Sequence, residues 1–149
     1  MSDRLQTLRT ALEHLKAGRF DQCADLCRPL LEADPNDVDA RFFLGVCLAA
    51  RGQLDEAVEH LTAVIRTRPD HIDARRELAR MLQAQGMTLV DQGQVDEAID
   101  FFGRAVIADP ANAIAHANLG NALATEGRFE ESLGAITDAL RLSDRKSVV

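Results

Sequence analysis

One recurring pentapeptide governs what this chain can fold into. Gly18-Arg19-Phe20-Asp21-Gln22 returns as Gly52-Gln53-Leu54-Asp55-Glu56, as Gly93-Gln94-Val95-Asp96-Glu97 and as Gly127-Arg128-Phe129-Glu130-Glu131. The glycines stand 34, 41 and 34 residues apart, and Pro35, Pro69 and Pro110 mark the same frame at spacings of 34 and 41. A fixed period of this length means one small structural unit stacked along the chain. The unit is 34 residues long, and one copy carries seven more.

Each unit reads as two helices. After Pro69, the residues Ile72, Leu78, Ala79 and Leu82 keep helical spacing, and after Gly93 so do Ala98, Ile99, Phe102, Ala105 and Val106. Glycine supplies the tight turn between the two helices and proline closes the second. Acidic pairs such as Asp55-Glu56 and Asp96-Glu97 fall in the first turn of the second helix, where exposed amides favour negative charge. The pattern predicts eight helices, at 3–17, 20–33, 37–51, 54–67, 71–92, 95–108, 112–126 and 129–142, and no strand. Two irregularities are expected. Pro29 removes an amide donor, so the second helix should bend or end early near residue 28. The seven extra residues lie between Ala79 and Gly93; seven is close to two helical turns, so they lengthen the fifth helix without rotating its buried face far. Ala79 and Gly86 can then both serve as close-contact points, and Gly86 inside so long a helix calls for a packing reason or a kink.

With 149 residues, 46% of them apolar and 28% charged, the chain has the size and composition of one globular domain. Seventeen basic against twenty-four acidic side chains give a net charge of -7, spread evenly, which leaves no basic face for nucleic acid. The apolar runs are far too short for membrane insertion, and the opening Met1-Ser2-Asp3-Arg4-Leu5 lacks a secretion signal. Three cysteines give no disulfide framework, and the expected location is cytoplasmic.

The residues also carry a family resemblance. Leu44-Gly45, Leu48, Gly52, Ala57, Leu61, Val64 and Pro69 resemble one tetratricopeptide repeat, a family whose helix-turn-helix unit has this same period of 34 residues. Leu119-Gly120, Leu123, Gly127, Ser132, Ile136 and Ala139 resemble a second copy, and Leu78-Ala79, Leu82, Gly93, Ala98, Phe102, Ala105 and Pro110 a third. Ala11, Gly18, Cys23, Cys27, Leu30 and Pro35 form a looser first copy. The resemblance implies an all-α, right-handed α-solenoid of four repeats, at 3–36, 37–70, 71–111 and 112–144, forming a single domain over 1–142 with a C-terminal tail at 143–149.

No reaction chemistry is expected. Cys23 and Cys27 share a helical face, and with Cys47 and His14 they offer the donor types that suit zinc. Against this, Cys23 occupies the slot of Ala57 and Ala98, and Cys27 that of Leu61 and Phe102, which makes them core residues. The histidines at 14, 60, 71 and 116 fall at different places in their repeats, no glycine loop cradles phosphate, and the repeated carboxylates serve helix ends. No catalytic residue, metal or cofactor is expected.

The resemblance instead implies a concave groove, lined by the first helix of each unit, that binds partner segments. By alignment it would present Leu8 and Leu12, then Phe42 and Val46, then Arg76 and Arg80, then Ala117, Asn118 and Asn121. Phe42 is either an anchor for a partner side chain or a contact for Leu8 or Leu12, because the equivalent Arg76 and Ala117 show that no core rule demands a phenylalanine there. Arg76 and Arg80 either grip a carboxylate or pair with Asp73 and Glu77. Two functional subtypes of the family fit poorly. Val46 and Leu12 replace the asparagines of the chaperone-binding carboxylate clamp, and Glu77 and Phe43 interrupt the asparagine ladder of the protein glycosyltransferases.

Both ends are unusual. Leu5, Leu8, Leu12 and Leu15 form one stripe, to be buried against a neighbouring helix or used to hold a partner or a second copy of the chain. No polar capping helix follows the one carrying Leu133, Ile136 and Leu140. The expected function is therefore a non-enzymatic scaffold that binds a protein or peptide segment, with no nucleic acid as partner. The alternatives are a substrate-docking module of a longer enzyme, such as a glycosyl or sulfo transferase, and a self-assembling structural protein forming a homo-oligomer through the leucine stripe or the uncapped last helix.

Overall fold

The repeated glycines are where the backbone turns left-handed. In the computed structural model, which describes residues 2–147, Gly18, Gly52, Gly93 and Gly127 have φ of 71°, 78°, 78° and 74°. No other described residue has positive φ, a region in which only glycine avoids a clash at Cβ. In each turn the amide after the glycine donates to a carbonyl five residues back: Arg19 to His14, Gln53 to Leu48, Gln94 to Leu89 and Arg128 to Leu123, at 2.8 to 2.9 Å. This bond satisfies a helix-end carbonyl and reverses the chain in three residues.

Four such turns join eight helices: α1 Ser2–Lys16, α2 Phe20–Ala33, α3 Val38–Ala50, α4 Leu54–Thr67, α5 Ile72–Asp91, α6 Val95–Ala108, α7 Ala113–Thr125 and α8 Phe129–Ser147. Among the described residues there is no strand. The fold is the expected all-α series of helix-turn-helix pairs. Helix α8 runs on through 143–147, where the repeat pattern places a tail; Arg145 and Lys146 sit in its last turn, opposite the negative end of the helix dipole. The connections between pairs are equally regular. The amides of Asp37, His71 and Asn112 donate to the carbonyls of Asp34, Arg68 and Asp109, and the same three side chains then cap α3, α5 and α7, accepting from Ala40, Ala74 and Ala115 at 3.1 Å.

The expected early end of the second helix does not occur. Helix α2 continues through Pro29 to Ala33, because Pro29 stands on an exposed face and the carbonyl it leaves without a donor belongs to exposed Asp25. Helix α5 is 20 residues long where α3 and α7 have 13, so all seven extra residues are helical. Gly86 has a packing reason. A β-carbon placed on it would lie 2.6 Å from the Phe102 ring; on Gly45 it would lie 3.1 Å from Leu61, and on Gly120 2.7 Å from Ile136. Each glycine precedes its large neighbour by sixteen residues, so one close approach recurs in three helix pairs.

Contacts divide the chain into two compact units, Met1–Glu77 and Leu78–Val149, with the boundary inside α5. In the first, α1 packs on α2 and α3, α2 on α3, and α3 on α4. Ala11, Cys27, Leu44, Leu48, Leu61 and Val64 form its buried interior. In the second, α6 packs on α7 and α7 on α8. Its core centres on Ala98, Phe102 and Ala122, with Leu89, Val95, Ile99 and Leu119 packed around them. Ser132, at the slot of Ala57 and Ala98, is buried because its hydroxyl donates to the Gly120 carbonyl at 2.7 Å.

The first unit is also tied by charge. Asp37 is 4% exposed, caps α3, and accepts from Nε and Nη2 of Arg4 on α1 at 2.7 and 2.9 Å. Arg4 reaches Asp39 as well, at 3.1 Å. The guanidinium holds the Asp37 carboxyl below the usual carboxylate range, against the opposing effect of burial. A carboxyl lowered by folding contributes stability above its unfolded pKa and loses that contribution as pH falls through the folded value. Asp37→Asn is therefore expected to lower stability at neutral pH by about 1–2 kcal/mol, since Arg4 remains half-exposed and keeps Asp39. It is also expected to flatten the loss of stability as pH falls below about 4, measured by denaturant unfolding across the acid range. An unchanged acid limb would remove the pair from the acid response.

Candidate functional site

The first helix of each pair carries the candidate binding residues. In the first unit, Leu8 is 8% exposed and belongs to the interior, because α1 lies against both α2 and α3. Little of its side chain reaches solvent. Leu12 and Leu15 are half-buried and Leu5 is 64% exposed, so the leucine stripe is divided between packing and solvent. Phe42 and Val46 on α3 are half-buried. The Phe42 ring lies 4.7 Å from the His71 ring at a tilt of 43°, and 6.0 Å from Phe43. Its neighbour is thus the residue that caps α5, a contact outside the Leu8 and Leu12 alternatives. Arg76, on the first turns of α5, is exposed.

In the second unit, Arg80 and Asn121 are exposed and Asn118 is half-buried. Asn118 Nδ2 donates to Gln83 Oε1 at 3.3 Å, and Gln83 Nε2 donates to the Ala79 carbonyl at 3.3 Å. This chain of amides fixes the orientation of Asn118. Beside it Met87, Val90 and Val95 surround a cleft of about 200 Å³ floored by Phe102, with Asn118 and Asn121 on its α7 side.

The sequence pattern places Arg76 and Arg80 at the groove positions of α5 by counting forward from Pro69. Counting back from Gly93 selects other residues. Gln83 and Met87 stand ten and six residues before that glycine, as Phe42 and Val46 stand before Gly52, and as Ala117 and Asn121 stand before Gly127. The two counts differ by the seven inserted residues. Within the second unit it is Gln83 and Met87 that adjoin the α7 asparagines. The sequence carries both counts, since Gln85-Gly86 repeats as Gln92-Gly93 one heptad later.

The cysteines lie together but away from solvent. Cys23 and Cys27 on α2 and Cys47 on α3 are all fully buried free thiols. The thiols interact with one another, and the interaction with Cys23, together with burial, pushes the Cys27 and Cys47 pKa values up, while the same interaction lowers that of Cys23. Among the described residues no three His, Cys, Asp or Glu side chains form a group suited to a metal ion. No helix among them is long and apolar enough to cross a membrane.

Sequence and structure comparisons agree with this architecture. A tetratricopeptide repeat family model matches residues 14–85 and a second matches 84–146. Tetratricopeptide repeat protein 14 of Mus musculus is 26% identical over 88 residues, which are 59% of this chain and only 12% of the mouse protein. The chain thus spans about an eighth of that relative's length. Among solved structures, the crystal structure of MamA superposes with a TM-score of 0.71 at 17% identity, covering 98% of this chain and 81% of that one. A MamA D159K mutant gives 0.63 at 26% identity, covering 91% and 75%. TTC0263, a thermophilic TPR protein of Thermus thermophilus, gives 0.56 at 21%, covering 95% and 75%. Left-handed glycine turns at the repeat period, recurring glycine-to-large-residue contacts between paired helices and family models covering 14–146 converge: this chain belongs to the tetratricopeptide repeat family.

Proposed function

We propose that the chain is a non-catalytic, cytoplasmic scaffold that binds a protein or peptide segment on the exposed faces of its first helices. The observation that carries this is Phe42. Its large ring is only half-buried and rests on His71, at a position where the next two repeats hold Arg76 and Ala117, so the repeat pattern does not demand an aromatic ring there. Accessible aromatic side chains on a rigid platform are the usual anchors of protein interfaces. Leu12 and Val46 are the apolar neighbours of this patch by repeat position, and the exposed Arg76 adds a charged group in the same unit. In the second unit Arg80, Asn118 and Asn121 supply polar contacts.

The test is affinity capture from the source organism's lysate with the wild-type chain and a Phe42→Asp, Arg80→Glu variant side by side. Proteins retained by the first and lost by the second, with both chains equally helical, are the expected result. Identical recovery on both would overturn binding through these faces. Self-association is a second reading, favoured by Leu5, Ile114, Leu133 and Leu140, which are 62–68% exposed. Light scattering over a concentration series separates it, with Leu140→Asp expected to abolish any concentration-dependent growth in mass.

A further inference from the structure

Helix α5 has 20 residues where α3 and α7 have 13, and its last two turns bring Met87 and Val90, which are 47% and 36% exposed, beside α7. These side chains, with Val95 and Phe102, make the apolar part of the cleft described above. No charged side chain lines it, although 28% of the chain is charged. A charged group entering would lose its hydration without finding a counter-ion. The volume of about 200 Å³ is enough for one branched aliphatic or ring-sized group, since a cavity of roughly 150 Å³ admits benzene. It is too small for a helix, whose diameter with side chains is about 10–12 Å. Asn118, oriented by Gln83, supplies the amide that pairs with a peptide backbone beside such a group.

We infer that this cleft is a specificity pocket for one uncharged apolar side chain, of leucine or methionine type, on an extended segment of the partner. The inference rests on the scaffold reading and assigns the chemistry of what the second unit selects. Met87 stands beside Asn121 in this pocket and gives it part of its apolar wall.

The experiment follows amide NMR shifts while adding N-acetyl-leucine N-methylamide, N-acetyl-methionine N-methylamide or the glutamate analogue to the whole chain. The leucine and methionine probes are expected to give saturable shifts at Val90, Val95, Asn118, Asn121 and Thr125, with dissociation constants of about 1 mM, an affinity in keeping with their size. The glutamate probe is expected to bind at least about tenfold more weakly. Met87→Glu, a change at a half-exposed helix position, should abolish the leucine response while leaving the rest of the spectrum in place. Absence of saturable shifts, equal binding of the glutamate probe, or shifts centred on other residues would each overturn the pocket. Such a failure is distinguishable from failure of the scaffold reading, because lysate capture that depends on Phe42 in the first unit would persist.

Discussion

Phe102→Ala is expected to cost about 3–5 kcal/mol, lowering the melting temperature by about 2–4 °C for each kcal/mol. The ring is 1% exposed and sits at the centre of the second unit's core, so its removal leaves a cavity that α5 and α7 cannot both close. The partner residue behaves in the opposite sense from a surface glycine. Gly86→Ala adds helix propensity of about 1 kcal/mol, yet its β-carbon would come within 2.6 to 3.0 Å of three atoms of the ring. Overpacking of a rigid, buried aromatic costs about 1–3 kcal/mol, so the substitution is expected to destabilise on balance. The first repeat shows the compensated form of the same pair. Ala11 and Cys27 stand sixteen residues apart at the equivalent positions, where a β-carbon is accepted because the facing residue is small. Gly86→Ala with Phe102→Leu should accordingly cost less than the two single changes added together, a coupling readable by urea unfolding of the full cycle. Additive losses, or a gain in stability from Gly86→Ala alone, would show that the close approach does not set the helix packing.

The second large effect concerns binding. Phe42→Asp is expected to weaken a partner recovered by the wild-type chain at least about thirtyfold, the scale of losing one aromatic anchor. It also removes the ring that packs on His71, so some stability is lost with it. Phe42→Leu separates the two consequences. Leucine retains apolar contact with the α5 cap but not the flat ring, and should keep the fold while losing only part of the affinity. Titration calorimetry well below the unfolding temperature measures both variants. Full affinity in Phe42→Asp would mean that the ring serves the fold alone.

The architecture was legible because it is governed by local rules repeated four times. Glycine at the end of a first helix, proline after a second helix and small residues opposite large ones are readable one position at a time. The helix boundaries accordingly fall within one residue of expectation everywhere but at the end of α8. What was less legible depended on neighbours. Pro29 reads as a helix terminator, yet an exposed lost hydrogen bond is satisfied by solvent and the helix continues. Leu8 belongs to a regular stripe, and only the packing of α1 on α3 decides that it turns inward while Leu5 does not. The contact between Phe42 and His71 joins the middle of one helix to the cap of another, twenty-nine residues on, and no pattern of period announces it.

The insertion illustrates the limit most clearly. Two counts along α5 are both valid, one forward from Pro69 and one back from Gly93, and they nominate Arg76 with Arg80 or Gln83 with Met87. Periodicity cannot choose between them, because an added heptad preserves the face. The hydrogen bond from Asn118 to Gln83 makes the choice within the second unit.

Binding on the first-helix faces is tested most directly by amide hydrogen exchange on the chain alone and with a captured partner bound. Slowed exchange concentrated in α3, α5 and α7, with α2, α4 and α6 unchanged, is the predicted outcome, and Ile107→Asp on α6 should then bind normally. Protection concentrated instead on α2, α4 and α6, accompanied by loss of binding in Ile107→Asp, would place the partner on the opposite set of helices and contradict the proposed function.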